Sequence, residues 1–332
     1  MTASYDVAGI GNAIVDVIAP ATDAFLDAQG LTKGSMMLVD GERSAALYAA
    51  MAPGVEASGG SAGNTIAGVA SFGGRAAYLG KVADDPLGAV FAHDLRAGGT
   101  RFDTPPLTGG PATGVCMINV TPDGQRTMCT FLGAANQLTP ADIDPAVIEA
   151  AAVTYMEGYL FDPPEARAAF GKAAAVARGA GRLISVTLSD SFVVERHRAE
   201  LLEFIERDVD VLFANEAELT ALFEAGFDGA VAAVRGRTKI AAVTRGAAGS
   251  VLVTPDATHP VAAEPVGKVV DTTGAGDQYA AGVLFGLARG LPLPECGRLG
   301  SLAAAEVIGH YGPRPQTPLR ELAAGAGLRL AA

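Results

Sequence analysis

Apolar residues along this chain repeat in two alternating rhythms. Short apolar runs bounded by glycine or polar turns read as buried strands at Val153 to Met156, Leu183 to Leu188, Val211 to Ala214, Ile240 to Thr244 and Ser250 to Thr254. Helical spacing predicts helices at Pro164 to Ala180, Glu195 to Glu206 and Glu216 to Ala225, and places Gly282 to Arg289 and Gly300 to Ile308 in helices. Upstream, residues 5–19 read as a strand, a Gly-Ile-Gly-Asn turn and a second strand from Ala13 to Ala19. Met36 to Val39 is a short apolar run. A glycine-rich turn at Ser58 to Asn64 leads into a helical stretch, Thr65 to Phe72. Ala76 to Val82 is a strand and Pro86 to Ala97 a helix. Such alternation predicts a Rossmann-like α/β fold, with a mainly parallel sheet and helices on both faces.

Residues 100–131 break the rhythm. Pro, Gly and Thr cluster at 104–114, and two extended runs, Val115 to Val120 and Thr127 to Leu132, flank Thr121-Pro122-Asp123-Gly124. Asp-Gly between extended runs signals a hairpin. With the strands near 12–40, this segment predicts a second, small β-sheet. Ligands of α/β folds sit at the carboxyl ends of the strands, so that sheet would cover the site as a lid. The expected division is a core of 1–10, 42–108 and 133–332 and a lid of 11–41 and 109–132. Exposed lid edges invite pairing, and a homodimer through the lid is expected to cover them.

Composition narrows the partners. The chain has 332 residues, 49% of them hydrophobic and 18% charged, with 42 glycines. That is a globular composition rather than a disordered one. A formal net charge of −12 argues against nucleic acid as a partner. No apolar run approaches the ~20 residues that span a membrane. Cys116, Cys129 and Cys296 lack metal-ligand spacing and read as reduced thiols. The expectation is a cytoplasmic protein without a membrane partner.

The candidate chemistry centres on Asp271-Thr272-Thr273-Gly274-Ala275-Gly276-Asp277. A short strand, Lys268 to Val270, is expected to run into it, and helical spacing follows it. The free N–H groups of a helix's first turn, with its dipole, favour an anion such as phosphate. Asp277 stands in the same turn, where a carboxylate is awkward unless it takes a proton. Turn and acid together point to phosphoryl transfer to a hydroxyl, with Asp277 as base. Thr273, Gly274, Ala275 and Gly276 would hold phosphate.

Other segments supply partners for that turn. Gly59 and Gly60 let backbone approach a ligand closely, and Asn64 can both donate and accept; the same segment also reads as a plain tight turn. Asp16, among β-branched residues, needs solvent or a partner such as a sugar diol. Asn215 and Glu218 follow a strand, where one acid reaching magnesium through water suffices; they equally suit a helix cap. Thr244, Gly246 and Gly249 suit a nucleotide phosphate loop or a hairpin. Arg126, on the lid, suits either a developing phosphoryl charge or the solvated surface. A dinucleotide fingerprint beginning at Gly9-Ile10-Gly11 fails at Ile14.

Jointly these segments resemble the ribokinase-like (PfkB) family of carbohydrate kinases over nearly the whole chain. Gly59-Gly60 with Asn64 is similar to the family's N-terminal motif, and Asp271 to Asp277 to its C-terminal motif. The resemblance implies ATP with magnesium, Asp277 as catalytic base and Gly274 to Asp277 as an anion hole. A monovalent cation stays open. Asn215 and Glu218 match the family's Asn-x-x-Glu element. Within the family, Gly11 to Asp16, Ala112 to Cys116, Leu132 to Asn136 and Asp210 to Glu216 are most similar to the adenosine kinase branch. That branch implies Asn12, Asp16 and Cys116 at the acceptor and the 5′-hydroxyl of adenosine as the acceptor group. Thr187-Leu188-Ser189 and Met36 depart from its pattern, which leaves inosine, guanosine, ribose or a fructose-type sugar as alternatives. A non-catalytic sensor of the same fold is the other alternative.

Overall fold

A computed structural model describes residues 3–328 and 330. In chain order its strands are β1 (Tyr5–Ile10), β2 (Ile14–Pro20), β3 (Met36–Leu38), β4 (Val55–Ser58), β5 (Ala76–Leu79), β6 (Thr100–Phe102) and β7 (Gly114–Val120). Then come β8 (Arg126–Phe131), β9 (Ala151–Glu157), β10 (Leu183–Thr187), β11 (Val211–Asn215), β12 (Ile240–Thr244), β13 (Ser250–Val253) and β14 (Thr258–Val261). The larger sheet runs β14-β13-β12-β11-β10-β9-β1-β5-β6 and the smaller one β3-β8-β7-β2-β4.

From β12 through β6 the larger sheet is parallel, and β13 and β14 add antiparallel at one edge. Its strands are buried on both faces, as parallel strands between helices must be. Val7, Val153, Tyr155, Val211 and Phe213 face the layer of helices Ser61–Ser71, Pro86–Ala97, Ala275–Ala288 and Leu293–Val307. Their neighbours Ala8, Met156, Leu212 and Ala214 face the opposite layer, with helices Pro164–Gly179 and Ser191–Asp208. The mainly parallel α/β sheet with a second small sheet is the fold read from the sequence.

Two local readings differ from the structure, and one strand, β14, has no sequence reading. Lys268 to Val270 forms no strand; Val270 N–H donates to the Ile308 carbonyl at 2.8 Å, beside no sheet edge. Residues 42–108 do not all belong with the larger sheet. β4 pairs antiparallel with β2, and helix Gly41–Ala50 packs on β7 and β8. β4 carries only one fully buried residue, Ser58, so its apolar signal is weak. β14 holds Pro260, which an edge strand tolerates but a sequence pattern reads as a break. Among the described residues no helix is long and apolar enough to cross a membrane.

Phe170 tests one of the helical layers. It is buried against Phe161 and Phe204, with ring centroids 6.1 and 6.2 Å away. Phe170→Ala is expected to cost about 3–5 kcal/mol. The check is a lower urea midpoint at unchanged slope; an unmoved midpoint would contradict this packing.

Candidate active site

The carboxyl ends of β1, β9, β11 and β12 meet the end of the smaller sheet. β1 ends at Ile10, and the chain crosses to the smaller sheet through Gly11, Asn12 and Ala13. Asn12 is fixed by Glu157, the last residue of β9. Its backbone N–H and its Nδ2 donate to Glu157 Oε2 and Oε1 at 3.3 and 2.8 Å. Ala62 N–H donates to the same carboxylate at 2.9 Å, so Glu157 also holds the first turn of helix Ser61–Ser71. Asn12 Oδ1 is buried without a partner. Its carbonyl end is left to accept from a bound hydroxyl.

Asp16 lies in β2, in register with Cys116 of β7. Burial pushes its carboxyl up to about 7, against the pull of Arg314 and then Arg126, while Asp277 adds to the rise. Gly59 closes over it: a Cβ there would stand 2.4 Å from the carboxyl atoms. Only glycine lets the chain pass this close. Cys116 Sγ accepts from Thr130 Oγ1 at 3.2 Å, and burial raises its thiol to about 12.

Asp277 is the centre of the arrangement. It stands in the first turn of helix Ala275–Ala288, preceded by Gly274 in the left-handed region at φ 78°. Ala275 N–H is tied back to the Thr272 carbonyl at 3.2 Å, but the N–H groups of Gly276 and Asp277 have no hydrogen-bond partner among the described residues. Asp277 Oδ1 accepts from Ser61 Oγ at 2.6 Å and Oδ2 from Asn64 Nδ2 at 3.1 Å. Asp277 is half-buried. Burial raises it to about 6, and the two side-chain donors moderate the rise.

On the other side of the Gly274–Asp277 turn lies an apolar cavity of about 560 Å³. Thr244, Gly246 and Gly249 line it together with Thr272, Ala275 and Gly276. Gly276 lines this cavity, while the Asp277 carboxyl turns to Ser61 and Asn64. Gly60 fits as a tight turn, since a Cβ on it would meet the Asn12 carbonyl oxygen at 2.2 Å.

Two expected roles look different in the structure. Arg126 is not solvated: its side chain is 9% exposed, and NH1 donates to Asp271 Oδ1 at 2.8 Å and also bonds Thr273 Oγ1. Its Nε and NH2 are buried without partners. Asn215 and Glu218 form a capping box, with Asn215 N–H and Nδ2 on the Glu218 oxygens at 2.9 and 2.7 Å. The helix-cap reading of that pair is what the geometry shows. Burial raises Glu218 to about 7. Among the described residues no group of three or more His, Cys, Asp and Glu side chains is placed to hold a metal.

Reading the sequence did not single out Ser61, Glu157, Gln278 or Arg314. Ser61 sits inside the glycine-rich turn and could have been found there. Glu157 ends an ordinary strand. Arg314 lies in a Gly-Pro-Arg-Pro loop with no periodicity. Its Nε donates to Asn64 Oδ1 at 3.4 Å and its NH1 to Ser58 Oγ at 2.6 Å.

Perturbed carboxylates around a cleft are a common sign of a functional site, and here Asp16, Glu157, Glu218 and Asp277 are all raised. The sequence profile of the pfkB family of carbohydrate kinases matches residues 48–320. The chain belongs to that family. This pfkB kinase is 53% identical to the solved adenosine kinase from Sinorhizobium meliloti, at a TM-score of 0.91 over 98% of this chain and 100% of that one. It is 48% identical to the solved probable sugar kinase from Rhizobium etli CFN 42, at a TM-score of 0.92 over 98% and 100%. It is also 28% identical to the adenosine kinase of Saccharomyces cerevisiae (strain ATCC 204508 / S288c) over 92% of this chain and 95% of that protein. The resemblance to the ribokinase-like kinases and their adenosine kinase branch is borne out.

The thiols give a test of this packing. Cys116 is 7% exposed, and Cys129 and Cys296 are fully buried. Iodoacetamide at pH 8 is expected to leave Cys116 unmodified in the folded kinase and to label it once the chain unfolds. Peptide mass spectrometry reads the result; rapid labelling of the native protein would show that the Asp16–Cys116 layer is open.

Proposed function

We propose that this kinase transfers the γ-phosphoryl group of ATP to the 5′-hydroxyl of adenosine, giving AMP and ADP. One observation carries the reading: Asp277 stands between a polar cradle and an apolar cleft, beside backbone N–H groups that have no partner. A hydroxyl in the cradle and an anion at the turn would meet at this residue. The 53% identity to an adenosine kinase over nearly the full chain supports adenosine as the acceptor.

Each group has a role in this reading. Asp16 and the orphaned Asn12 Oδ1 accept the ribose hydroxyl protons. Asp277, ionised above about pH 6, takes the 5′-hydroxyl proton as that oxygen attacks phosphorus. The free N–H groups of Gly276 and Asp277 face the charge on the transferring phosphoryl group. The unpartnered Nε and NH2 of Arg126 face the same charge from the smaller sheet. The apolar cleft, with Thr244, Gly246 and Gly249 in its wall, suits the rest of the nucleotide. Magnesium, which arrives with ATP, offsets phosphate charge. Few protein ligands are needed for it, and Asn215 and Glu218, at the carboxyl end of β11, would reach it through water.

A substrate panel tests the assignment. ADP release is measured with ATP–magnesium and adenosine, inosine, guanosine, ribose or fructose. Turnover with adenosine at least tenfold above the others is expected. Preference for a sugar would move the acceptor assignment, and no ADP release with any of them would sink the kinase reading.

Asp277→Asn is expected to lower kcat by roughly two to four orders of magnitude while adenosine still binds. Near-normal turnover in that variant would remove Asp277 from the chemistry. The wild-type pH profile should show a loss of kcat as pH falls through about 6. The sign follows from the role: the base acts ionised, and its raised pKa moves its protonation toward neutrality. A kcat flat from pH 5 to 8 would contradict it.

A further inference from the structure

Arg314 is a charged group beside this cradle that no sequence motif accounts for. It comes from the loop after helix Leu293–Val307. It reaches the cradle from behind, where its Nε meets Asn64 Oδ1 and its NH1 meets Ser58 Oγ. Its NH2 is buried without a partner.

The position of Arg314 decides how Asn64 points. A side-chain amide has a donor end and an acceptor end. The guanidinium can only donate and the ionised Asp277 carboxylate can only accept. Set between them, Asn64 has one orientation that satisfies both, with Nδ2 on Asp277 at 3.1 Å and Oδ1 on Arg314 at 3.4 Å. Arg314 thus holds the acceptor end of Asn64 and reinforces the orientation that the carboxylate selects.

Arg314 also bears on the second carboxylate. Asp16 and Asp277 share one enclosed space, and like charges there disfavour joint ionisation. The charged groups facing Asp16 are Arg314, Arg126 and Asp277, with the Cys116 thiol beside it. Arg314 has the larger effect of the two cations. Arg126 is already engaged by Asp271 at 2.7 Å. The groups facing Arg314 are Asp16, Asp94 and Tyr78. Asp94 accepts from Ser58 N–H at 2.9 Å, on the residue whose hydroxyl takes NH1.

We propose that Arg314 is a positioning residue for the acceptor cradle: through its contacts with Asn64 and Ser58 it holds the Asn64 amide toward Asp277 and sets a positive charge beside the Asp16 that receives the ribose diol. This rests on the acceptor reading given above, but part of its test needs no substrate.

The experiment compares wild type with Arg314→Met and Arg314→Lys. With adenosine as the acceptor, R314M should raise KM about fivefold at pH 7, as for a one-unit rise of Asp16 from about 7. The difference should narrow to within about threefold at pH 9, where Asp16 is ionised in both proteins. R314K should restore the pH dependence of KM, because it keeps the charge. Its kcat should stay below wild type, because the planar contact to Asn64 is lost. A KM raised equally at both pH values, or unchanged at pH 7, would overturn the proposal. In the ligand-free protein, carboxyl carbon NMR, with Asp16 identified by its loss in Asp16→Asn, should show Asp16 titrating at least one unit higher in R314M; an unmoved titration would equally overturn it. If R314M does not fold, Arg314→Gln carries the same titration. Should the wild type not turn over adenosine, the substrate assignment fails, and the titration still decides the role of Arg314.

Discussion

Two helix N-termini converge on one carboxylate, and the site depends on that contact. Asp277 opens helix Ala275–Ala288, and Ser61 and Asn64 open helix Ser61–Ser71. The dipoles of both helices favour negative charge where they meet, which helps a half-buried acid remain ionisable. Next along the chain, Gln278 fastens the joint. Its Nε2 donates to the Asn64 carbonyl and to the Pro313 carbonyl, both at 3.0 Å, and its side chain is fully buried. The Asp277 turn, the first turn of helix Ser61–Ser71 and the C-terminal loop that carries Arg314 are thereby one hydrogen-bonded unit. Displacing any of the three would move the other two.

The same enclosure sets the electrostatics. Taking a carboxylate out of water disfavours its charge, and that effect comes first at Asp16, Glu157, Glu218 and Asp277. What separates them is the company each keeps. Glu157 is spent on Asn12 and Ala62, and Glu218 on its own helix cap. Asp277 has two neutral donors on its carboxyl. Asp16 has no hydrogen-bonding side chain on it, only the fields of two arginines. That pattern sets the acids apart: Glu157 and Glu218 bond backbone N–H groups, Asp277 accepts from two side chains, and Asp16 carries no hydrogen bond from a side chain among the described residues.

Much of this was legible in the sequence because it is local. Short apolar runs and helical apolar spacing located most of the parallel strands and their covering helices, and the Asp-Gly turn located the β7–β8 hairpin. Asp277 was legible because glycine-rich turn, helix start and acid lie within a few residues of each other. What escaped was short or non-local. β4 and β14 are edge strands with mixed burial. The strand expected at Lys268 to Val270 had the right composition but no neighbouring edge to pair with. Glu157 and Arg314 owe their roles to residues 145 and 250 positions away, and no periodicity encodes that. Arg126 was placed correctly on the small sheet, but its tie to Asp271 depends on how the two sheets approach one another.

A chain with a net charge of −12 that handles anions needs its positive potential to be local. The structure shows where it lies. The N–H groups at Gly276 and Asp277 give partial charge without a side chain, and Arg126 and Arg314 bring full charge from opposite sides. Asp271 accepts from Arg126, from Thr273 N–H and from Gly312 N–H. It thereby links the small sheet to the phosphate-facing turn and to the loop that carries Arg314. Charge brought by one arginine and orientation reinforced by the other meet at this turn. The short Asp271-to-Asp277 segment is legible by itself as a candidate anion site, yet Arg126, which bonds its Asp271 and Thr273, lies far outside it in sequence.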